Sequence, residues 1–286
     1  MLEPPASAEA RPYVLAYTEL GRAAGVARAL AREADLLAPR DMPPPRTGAL
    51  LAPDEDAERR FAERSGLPPL PDGFDLSGYD VVLVVSDATR HDRTSLARSG
   101  GPTPHLAALA EGALVFERAY APSNRTFPSL ASMLAMAPVS FTELDVQPRF
   151  WRGRLRGERT TAAEAMRAAG RATFWIGHDH AGCFSDHIHG LEQGFDARTL
   201  VPDTADADAR IAELAIDAMR ERRDAGRRFF GLVFFGSPHD DYLARDPRRS
   251  ATELERYDSE LAYADAQLGR LVASLERALE RTARPS

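Results

Sequence analysis

Three short apolar runs constrain the fold of this chain more than any other feature of its sequence. They are VVLVV at 81–85, within YDVVLVVSD, then ATFWIG at 172–177, and the middle of RFFGLVFFG at 228–236. Runs of this length, rich in β-branched or aromatic residues and without alternating polar positions, are typical of strands buried on both faces of a parallel sheet. The sequence therefore predicts three such strands.

Helical patterns separate these runs. Thr103 is the predicted N-cap of a helix in TPHLAALAEGA, and Thr161 pairs with Glu164 in a capping box that opens a helix ended by Gly170. Further predicted elements are a strand in LVFERAYA (114–121), a helix opened by SNRTFPSLASM (123–133), a helix in ADARIAELAIDAMRERRDAG (207–226) and a long helix at about 251–281. Strands alternating with helices predict a parallel, doubly wound α/β sheet, in which ligands bind at the carboxyl ends of the strands.

The first 75 residues differ in character from the rest of the chain. TELGRAAGVARALAREADLL (18–37) predicts a modest amphipathic helix, and Pro-rich segments follow at 38–48 and 67–73. We therefore divide the chain into a Pro-rich N-terminal extension with an amphipathic helix, residues 1–75, and an α/β domain, residues 76–286.

The composition excludes several classes of function. A net charge of −7 argues against nucleic-acid binding, which normally needs a basic surface. The chain has no lysine, which excludes a Walker A phosphate loop, a Schiff-base lysine and a lysine general base. Cys183 is the only cysteine, so neither an intrachain disulfide nor a cysteine-rich zinc site can form. No signal peptide or membrane span is predicted, and the chain as written is expected to be soluble.

Polar residues stand at the carboxyl ends of the predicted strands. They are Asp87, His178 with Asp179, and His239. Asp87 directly follows a buried strand, where a carboxylate can bind a hard cation or cap a loop, and spacing does not decide between the two. Arg90 and Asp92 follow within one turn, and they either pair with each other or leave Arg90 to hold an anion.

Thr126, in the stretch SNRTFPSLASM, has two interpretations. A hydroxyl before an apolar helical run is typically a helix N-cap, and Pro128 is tolerated in the first turn. Taken alone, this interpretation is the favoured one. A hydroxyl at a helix N-terminus is also placed to attack phosphorus or sulfur, because that terminus favours negative charge and a metal can lower the hydroxyl pKa. Ser123 and Ser129 are alternative nucleophiles.

A histidine-rich segment, GHDHAGCFSDHIHG at 177–190, follows the second apolar run. His178 and His180 are two residues apart, as are His187 and His189, so each pair points the same way if the chain is extended there. Such imidazoles can bind a transition metal, which makes His178 and His180 candidates for a secondary metal site. The alternative is a polar loop at the rim of the site, and we favour the loop.

Five ordered blocks of the sequence resemble the sulfatase family of the alkaline-phosphatase superfamily. They are YDVVLVVSDATRHDRTSL, TPHLAALAEGALVFERAYAPSNRTFPSLASML, GLEQGFD, FFGLVFFGSPHDDY and YDSELAYADAQLGRLVASLE, over roughly residues 79–281. The resemblance implies an alkaline-phosphatase-like α/β sandwich with a mostly parallel central sheet. It also implies a divalent metal ion (Ca, Mg, Mn or Zn) and a small anionic ester or phospholipid-like substrate, because family members hydrolyse sulfate or phosphate esters or transfer phospho-headgroups. Family members often work in the periplasm, outside the cell or anchored to a membrane.

The resemblance also implies roles for individual residues. Asp87 matches the metal-binding Asp that follows the first strand. Thr126 matches the nucleophile, which also binds the metal. His239 matches a His that helps to bind the anionic group of the substrate, and Arg90 is a further candidate for that role.

Two departures from the family pattern affect the expected chemistry. True sulfatases carry a Cys or Ser matured to formylglycine where this chain has Thr126, and they hold sulfate with lysines that this chain lacks. We therefore expect a Thr nucleophile that acts on phosphate esters or transfers phospho-headgroups, rather than sulfate hydrolysis.

The C-terminal end is a third departure. Family members continue after the long helix into a strand with an Asp-His metal pair in an SDHGE-like motif, whereas this chain ends at Ser286. We expect a fold that is incomplete at the C-terminus, as in a fragment of the catalytic domain. Two alternatives remain open: a truncated, catalytically inactive relative that acts as a binding or scaffold protein, and a metal-binding protein that uses the histidine-rich segment.

Overall fold

A computed structural model describes residues 78–283, except for 114, 117–118, 138, 140–141, 143, 148–151, 158, 247 and 249–250. All of these residues belong to Leu70–Ser286, the second of the two units into which the chain divides. The predicted N-terminal extension, residues 1–75, and its amphipathic helix lie outside the described residues.

Four parallel strands form the central sheet. They are β1 (Val81–Ser86), β4 (Ala172–Asp179), β6 (Ala197–Pro202) and β7 (Phe229–Phe235), in the order β1-β7-β4-β6. Strand β7 pairs with β1 on one side and with β4 on the other, and β6 forms the edge beyond β4. The predicted α/β fold with a parallel central sheet is confirmed, and β1, β4 and β7 are the three apolar runs.

Helices and a second sheet complete the described part of the chain. The helices are α1 (Pro104–Ala110), α2 (Thr126–Leu134), α3 (Ala162–Ala168), α4 (Ala207–Asp224) and α5 (Glu253–Ala283), with short helical turns at His91–Arg93, His180–Gly182 and Cys183–His187. The small sheet has the order β2-β3-β5, from Asp145–Gln147, Arg152–Arg154 and Ile188–His189. Among the described helices, none is both long enough and apolar enough to cross a membrane.

Both faces of the central sheet are covered at β4 and β7, which explains why these two strands are mainly apolar. Along β4, Phe174 and Ile176 belong to a core cluster with Ile211 of α4 and Leu271 of α5. The intervening Trp175 belongs to a second cluster, which includes Leu130 and Leu134 of α2. Because successive strand residues face opposite sides, β4 presents apolar residues to both faces of the sheet.

The starts of two helices test the predicted caps. The capping box of α3 is confirmed, because the Glu164 amide donates to the Thr161 hydroxyl and the Thr161 amide donates to the Glu164 carboxylate. Thr103 does occupy the N-cap position of α1, but its hydroxyl accepts a hydrogen bond from the Ser95 amide at 2.8 Å. Asp265 of α5 caps α1 instead, through bonds of 2.9 and 2.8 Å from the amides of His105 and Leu106.

One predicted strand was wrong, and one observed strand was not predicted. The described residues of 114–121 form no strand. Strand β6 was not predicted, because most of its side chains are exposed and it lacks the apolar pattern of β1, β4 and β7.

Gly231, in the middle of β7, offers a test of the core packing. A Cβ at this position would lie 2.3 Å from Cζ of the buried Phe174 ring. We expect Gly231→Ala to lower the free energy of unfolding by about 1–3 kcal/mol, because the ring or the strand must shift. The measurement is urea denaturation.

Gly112→Ala is the matched control, since nothing lies within 4 Å of its added Cβ. We expect that control to change the free energy of unfolding by less than about 0.5 kcal/mol. Equal effects of the two substitutions would contradict the packing described for β7.

Candidate active site

Asp87 is the first residue after β1 and lies at the carboxyl edge of the central sheet. Its amide donates to the Phe235 carbonyl of β7 at 3.0 Å, which fixes the backbone there. Its carboxylate accepts two hydrogen bonds, from the Ala88 amide to Oδ1 at 2.8 Å and from the Thr126 hydroxyl to Oδ2 at 2.9 Å. Ala88 has a φ of 54°, a left-handed conformation that costs a non-glycine residue about 1–2 kcal/mol. Strain of this kind is often found where a side chain is held in a functional position.

Thr126 is the first helical residue of α2 and is not a helix cap. The N-cap residue is Arg125, which makes no side-chain capping bond. The Thr126 hydroxyl instead donates to Asp87, a residue 39 positions earlier in the chain. The helix-cap interpretation of Thr126 was therefore wrong, and its hydroxyl stands beside a carboxylate at a helix N-terminus, which favours negative charge.

The two serines near Thr126 are bound to the local backbone. The Ser129 hydroxyl donates to the Ser123 carbonyl at 3.1 Å, and the Ser123 hydroxyl accepts from the Arg125 amide at 3.2 Å. Neither hydroxyl contacts Asp87. The geometry therefore favours Thr126 over both alternative nucleophiles.

Tyr257 of α5 holds the loop that follows Asp87. The Arg90 amide donates to the Tyr257 hydroxyl at 2.7 Å, and that hydroxyl donates to the Ala88 carbonyl at 3.0 Å. The Tyr257 ring is buried. The long helix thus fixes the backbone on the far side of the strained residue.

Arg90 is engaged by Asp92. Its guanidinium donates to both carboxylate oxygens, at 3.0 and 2.8 Å, and both side chains are exposed. The hydrogen bonds and charge of Asp92 raise the pKa of Arg90. Arg90 and Asp92 were predicted either to pair with each other or to leave Arg90 to hold an anion, and in the structure they form the ion pair.

His178, His180 and His239 line one cavity of about 320 Å³ at the carboxyl edge of β4, β6 and β7. The ring centroids of His178 and His180 are 6.0 Å apart, and those of His180 and His239 are 4.7 Å apart. Asp203 also lines this cavity and contacts both His178 and His180. Sequence reasoning missed Asp203, because it follows the unpredicted strand β6.

Gly236 and Asp208 also line the cavity. The His178 ring lies so close to Gly236 that a Cβ there would be 2.2 Å from Nδ1. The buried Asp208 carboxylate accepts hydrogen bonds from the amides of Gly236 and Ser237, at 2.8 and 3.0 Å, and burial raises the pKa of Asp208. These bonds hold the turn that leads to His239, whose own amide donates to the Gly236 carbonyl.

The other polar residues of the histidine-rich segment have different surroundings. Asp179 accepts hydrogen bonds from the amides of Phe184 and Ser185, so it closes the turn that follows β4. His187 and His189 do not line the cavity. The segment therefore contributes only its first two histidines to the candidate site.

Only part of a metal site is present at Asp87. Its carboxylate and the Thr126 hydroxyl supply oxygen ligands, which suit a hard divalent cation, but such ions take six or more ligands. Within the part of the chain that the structure describes, the one group of three His, Cys, Asp or Glu ligands is His178, His180 and Asp203. The donor set at Asp87 fits a cation that water, substrate or further residues also bind.

The Tyr257 hydroxyl gives a test of how the Asp87 loop is held. We expect Tyr257→Phe to lower the free energy of unfolding by about 1 kcal/mol and to speed hydrogen exchange of the Arg90 amide, because that amide loses its acceptor. Tyr242→Phe is the matched control, since Tyr242 packs edge-on against Tyr257 without binding the loop through its hydroxyl. Unchanged exchange at Arg90 in Tyr257→Phe would contradict the assigned role.

Cys183 reports on the charge of the site. Burial, and to a lesser extent the negative charges of Asp179 and Asp87, raise the pKa of its thiol to about 11. Because the thiolate is the reactive form, we expect iodoacetamide to alkylate Cys183 much more slowly than a peptide thiol between about pH 7 and pH 9. Asp87→Asn should lower the pKa and speed alkylation, and Asp217→Asn, on the exposed face of α4, should not. Equal rates in these two variants would show that the Asp87 charge does not reach the thiol.

Comparisons with known proteins agree with this architecture. The family model described as Sulfatase matches residues 79–283. No curated protein sequence matches the chain at a significant level.

Three similar solved structures share the fold. Ps i-CgsB in complex with k-i-k-neocarrahexaose has a TM-score of 0.60 at 16% identity, over 69% of this chain and 55% of that one. The phosphonate monoester hydrolase of Agrobacterium radiobacter has a TM-score of 0.55 at 18% identity, over 70% and 59%. The lipoteichoic acid synthase LtaP from Listeria monocytogenes has a TM-score of 0.54 at 13% identity, over 77% and 58%.

The chain thus spans between 55% and 59% of the length of these three proteins. The family match covers nearly all of the described residues, including the parallel central sheet. The chain belongs to the sulfatase family.

Proposed function

We propose that this protein is a metal-dependent hydrolase or transferase that acts on phosphate esters or phospho-headgroups through Thr126. The observation that carries the proposal is the 2.9 Å hydrogen bond from the Thr126 hydroxyl to Asp87. A nucleophile held against a carboxylate at a helix N-terminus is the arrangement that attack on an anionic ester requires.

The chain's own residues account for the first step of this reaction. Oγ1 of Thr126 forms a bond to phosphorus, the bond from phosphorus to the leaving oxygen breaks, and the leaving group departs with its electron pair. The hydroxyl proton passes to Oδ2 of Asp87, to which it is already hydrogen-bonded, as a lone pair of Oγ1 attacks phosphorus. Water or an acceptor alcohol then takes the phosphoryl group from Thr126, which gives hydrolysis or transfer.

Asp87 and Thr126 would hold the divalent cation. That ion supplies two effects when it is bound, since it lowers the pKa of the hydroxyl and neutralises charge on the ester. The Ala88 amide, in the strained loop, and the hydrogen bond between the two side chains position Asp87 and Thr126 before any ligand arrives.

His239 is the proposed contact for the anionic group of the substrate. Its ring faces the same cavity as His180, and its Nδ1 lies 3.0 Å from the Asp240 carboxylate. An imidazole N–H can donate a hydrogen bond to an anionic oxygen of the substrate. Arg90 is a weaker candidate, because Asp92 already occupies its guanidinium.

The preference for phosphorus rests on residue chemistry. Threonine cannot be matured to formylglycine, and the chain has no lysine to hold sulfate. Two proteins of the same fold are a phosphonate monoester hydrolase and a lipoteichoic acid synthase, which supports phosphorus-centred chemistry. Ps i-CgsB, by contrast, was solved with a carrahexaose, so the fold alone does not decide the ester.

Thr126→Ala is the direct test. We expect it to abolish turnover of an aryl phosphate ester measured with added Mn²⁺, because the attacking oxygen is lost, and we expect Thr126→Ser to retain part of the activity. Ser129→Ala is the matched control and should turn over substrate as the wild type does, since Ser129 binds only the Ser123 carbonyl.

Two results would contradict this proposal. Unchanged turnover in Thr126→Ala would remove the nucleophile from the mechanism. A wild-type chain that cleaves neither aryl phosphate nor aryl sulfate, and whose Mn²⁺ affinity does not change in Asp87→Asn, would instead favour the catalytically inactive binding or scaffold protein.

A further inference from the structure

We propose that His178, His180 and Asp203 form a second metal site, distinct from Asp87, that binds a transition metal of the zinc type. The site uses imidazole nitrogens and a carboxylate at the carboxyl ends of β4 and β6. It does not depend on the ester chemistry proposed for Thr126.

The three ligand atoms are close enough to share one ion. Nε2 of His178 lies 2.7 Å from Oδ1 of Asp203, and Nδ1 of His180 lies 3.0 Å from Oδ2 of the same carboxylate. One ligand atom from each residue falls within 4.8 Å of the other two. Zinc binds nitrogen and carboxylate oxygen at about 2.0–2.2 Å, so tetrahedral ligands lie about 3.3 Å apart. Shifts of at most about 1.5 Å between ligand atoms would admit the ion.

Strand register brings the ligands together. Parallel pairing sets His178 beside Val201 and Asp179 beside Pro202, so Asp203 leaves the sheet next to the histidines. His178 and His180 are separated by one residue and contact the same carboxylate. This convergence comes from two segments that are distant in sequence.

Two of the three ligands are held in place before a metal binds. The His178 side chain is buried against Gly236, where no larger residue fits. The Asp203 carboxylate also accepts a hydrogen bond from the Ala181 amide at 3.0 Å. His180 is about half exposed, so its ring can turn toward the ion at little cost in packing.

The charge of the cavity favours a cation. Five carboxyl groups line it, from Asp203, Asp208, Asp240, Asp241 and Glu260, against one guanidinium, from Arg245. Two imidazoles and one carboxylate select zinc and similar transition metals over Mg²⁺ and Ca²⁺, which prefer oxygen ligands. Three protein ligands leave a fourth position for water or a ligand that enters the cavity.

Zinc binding to the full chain tests this site without any measurement of activity. We expect dialysis against Zn²⁺ followed by metal analysis, and isothermal titration with Zn²⁺, to show one tight zinc. His180→Gln and Asp203→Asn should each weaken zinc binding by more than about 100-fold, because the loss of an outer partner of a ligand alone costs about 10–100-fold. His91→Gln, which changes an exposed histidine outside the cavity, should bind zinc as the wild type does.

Asp87→Asn separates this site from the proposed catalytic metal. We expect that variant to keep the tight zinc. Loss of zinc in Asp87→Asn but not in His180→Gln would overturn the proposal, as would equal zinc affinity in the wild type, His180→Gln and Asp203→Asn.

Cobalt gives a readout that needs no variant. We expect Co²⁺ added to the wild-type chain to develop the visible absorption of a four- or five-coordinate ion with nitrogen and oxygen ligands, and added Zn²⁺ to remove it. A spectrum that stays that of the aqueous ion would overturn the proposal.

Discussion

The pairing of β7 with two parallel neighbours brings Asp87 and His178 to the same edge of the sheet. Strand β7 is buried along its whole length and is in register with β1 on one side and β4 on the other. Ser86 lies beside Phe235 and Gly177 beside Phe234, so the pairings of β1 and β4 with β7 end within one residue of each other. Asp87 directly follows Ser86, and His178, the first histidine of the histidine-rich segment, directly follows Gly177. A shift in either pairing would separate them.

The edge of the sheet carries two ligand sets of different chemistry. Asp87 and Thr126 offer oxygen atoms at a helix N-terminus, which suit a hard cation and a developing negative charge. His178, His180 and Asp203 offer mainly nitrogen in a cavity rich in carboxyl groups. Burial, and to a lesser extent the negative charges of Asp179 and Asp87, raise the pKa of Cys183, which lies in the histidine-rich segment that supplies two ligands of the second set.

The inner part of the fold could be predicted from the sequence, because buried parallel strands have an unbroken apolar pattern. Strand β6 could not, since an edge strand with exposed side chains lacks that pattern, and Asp203 was missed with it. Thr126 shows a different limit. Its position before an apolar helical run predicted a helix cap, but its hydroxyl donates to the carboxylate that follows β1. Local sequence does not reveal a partner so distant in the chain. Thr103 shows the same limit, because its hydroxyl accepts from the Ser95 amide and Asp265, distant in sequence, caps the helix.

The capping of α1 by Asp265 rather than Thr103 has a consequence for folding during synthesis. Helix α1 has seven residues, too few to be stable alone, and the amides of its first turn are bound by a carboxylate about 160 residues later. Ribosomes make the N-terminal part first. Residues 104–110 therefore leave the ribosome without their cap, and α1 is capped only after Asp265 has been translated and α5 has docked.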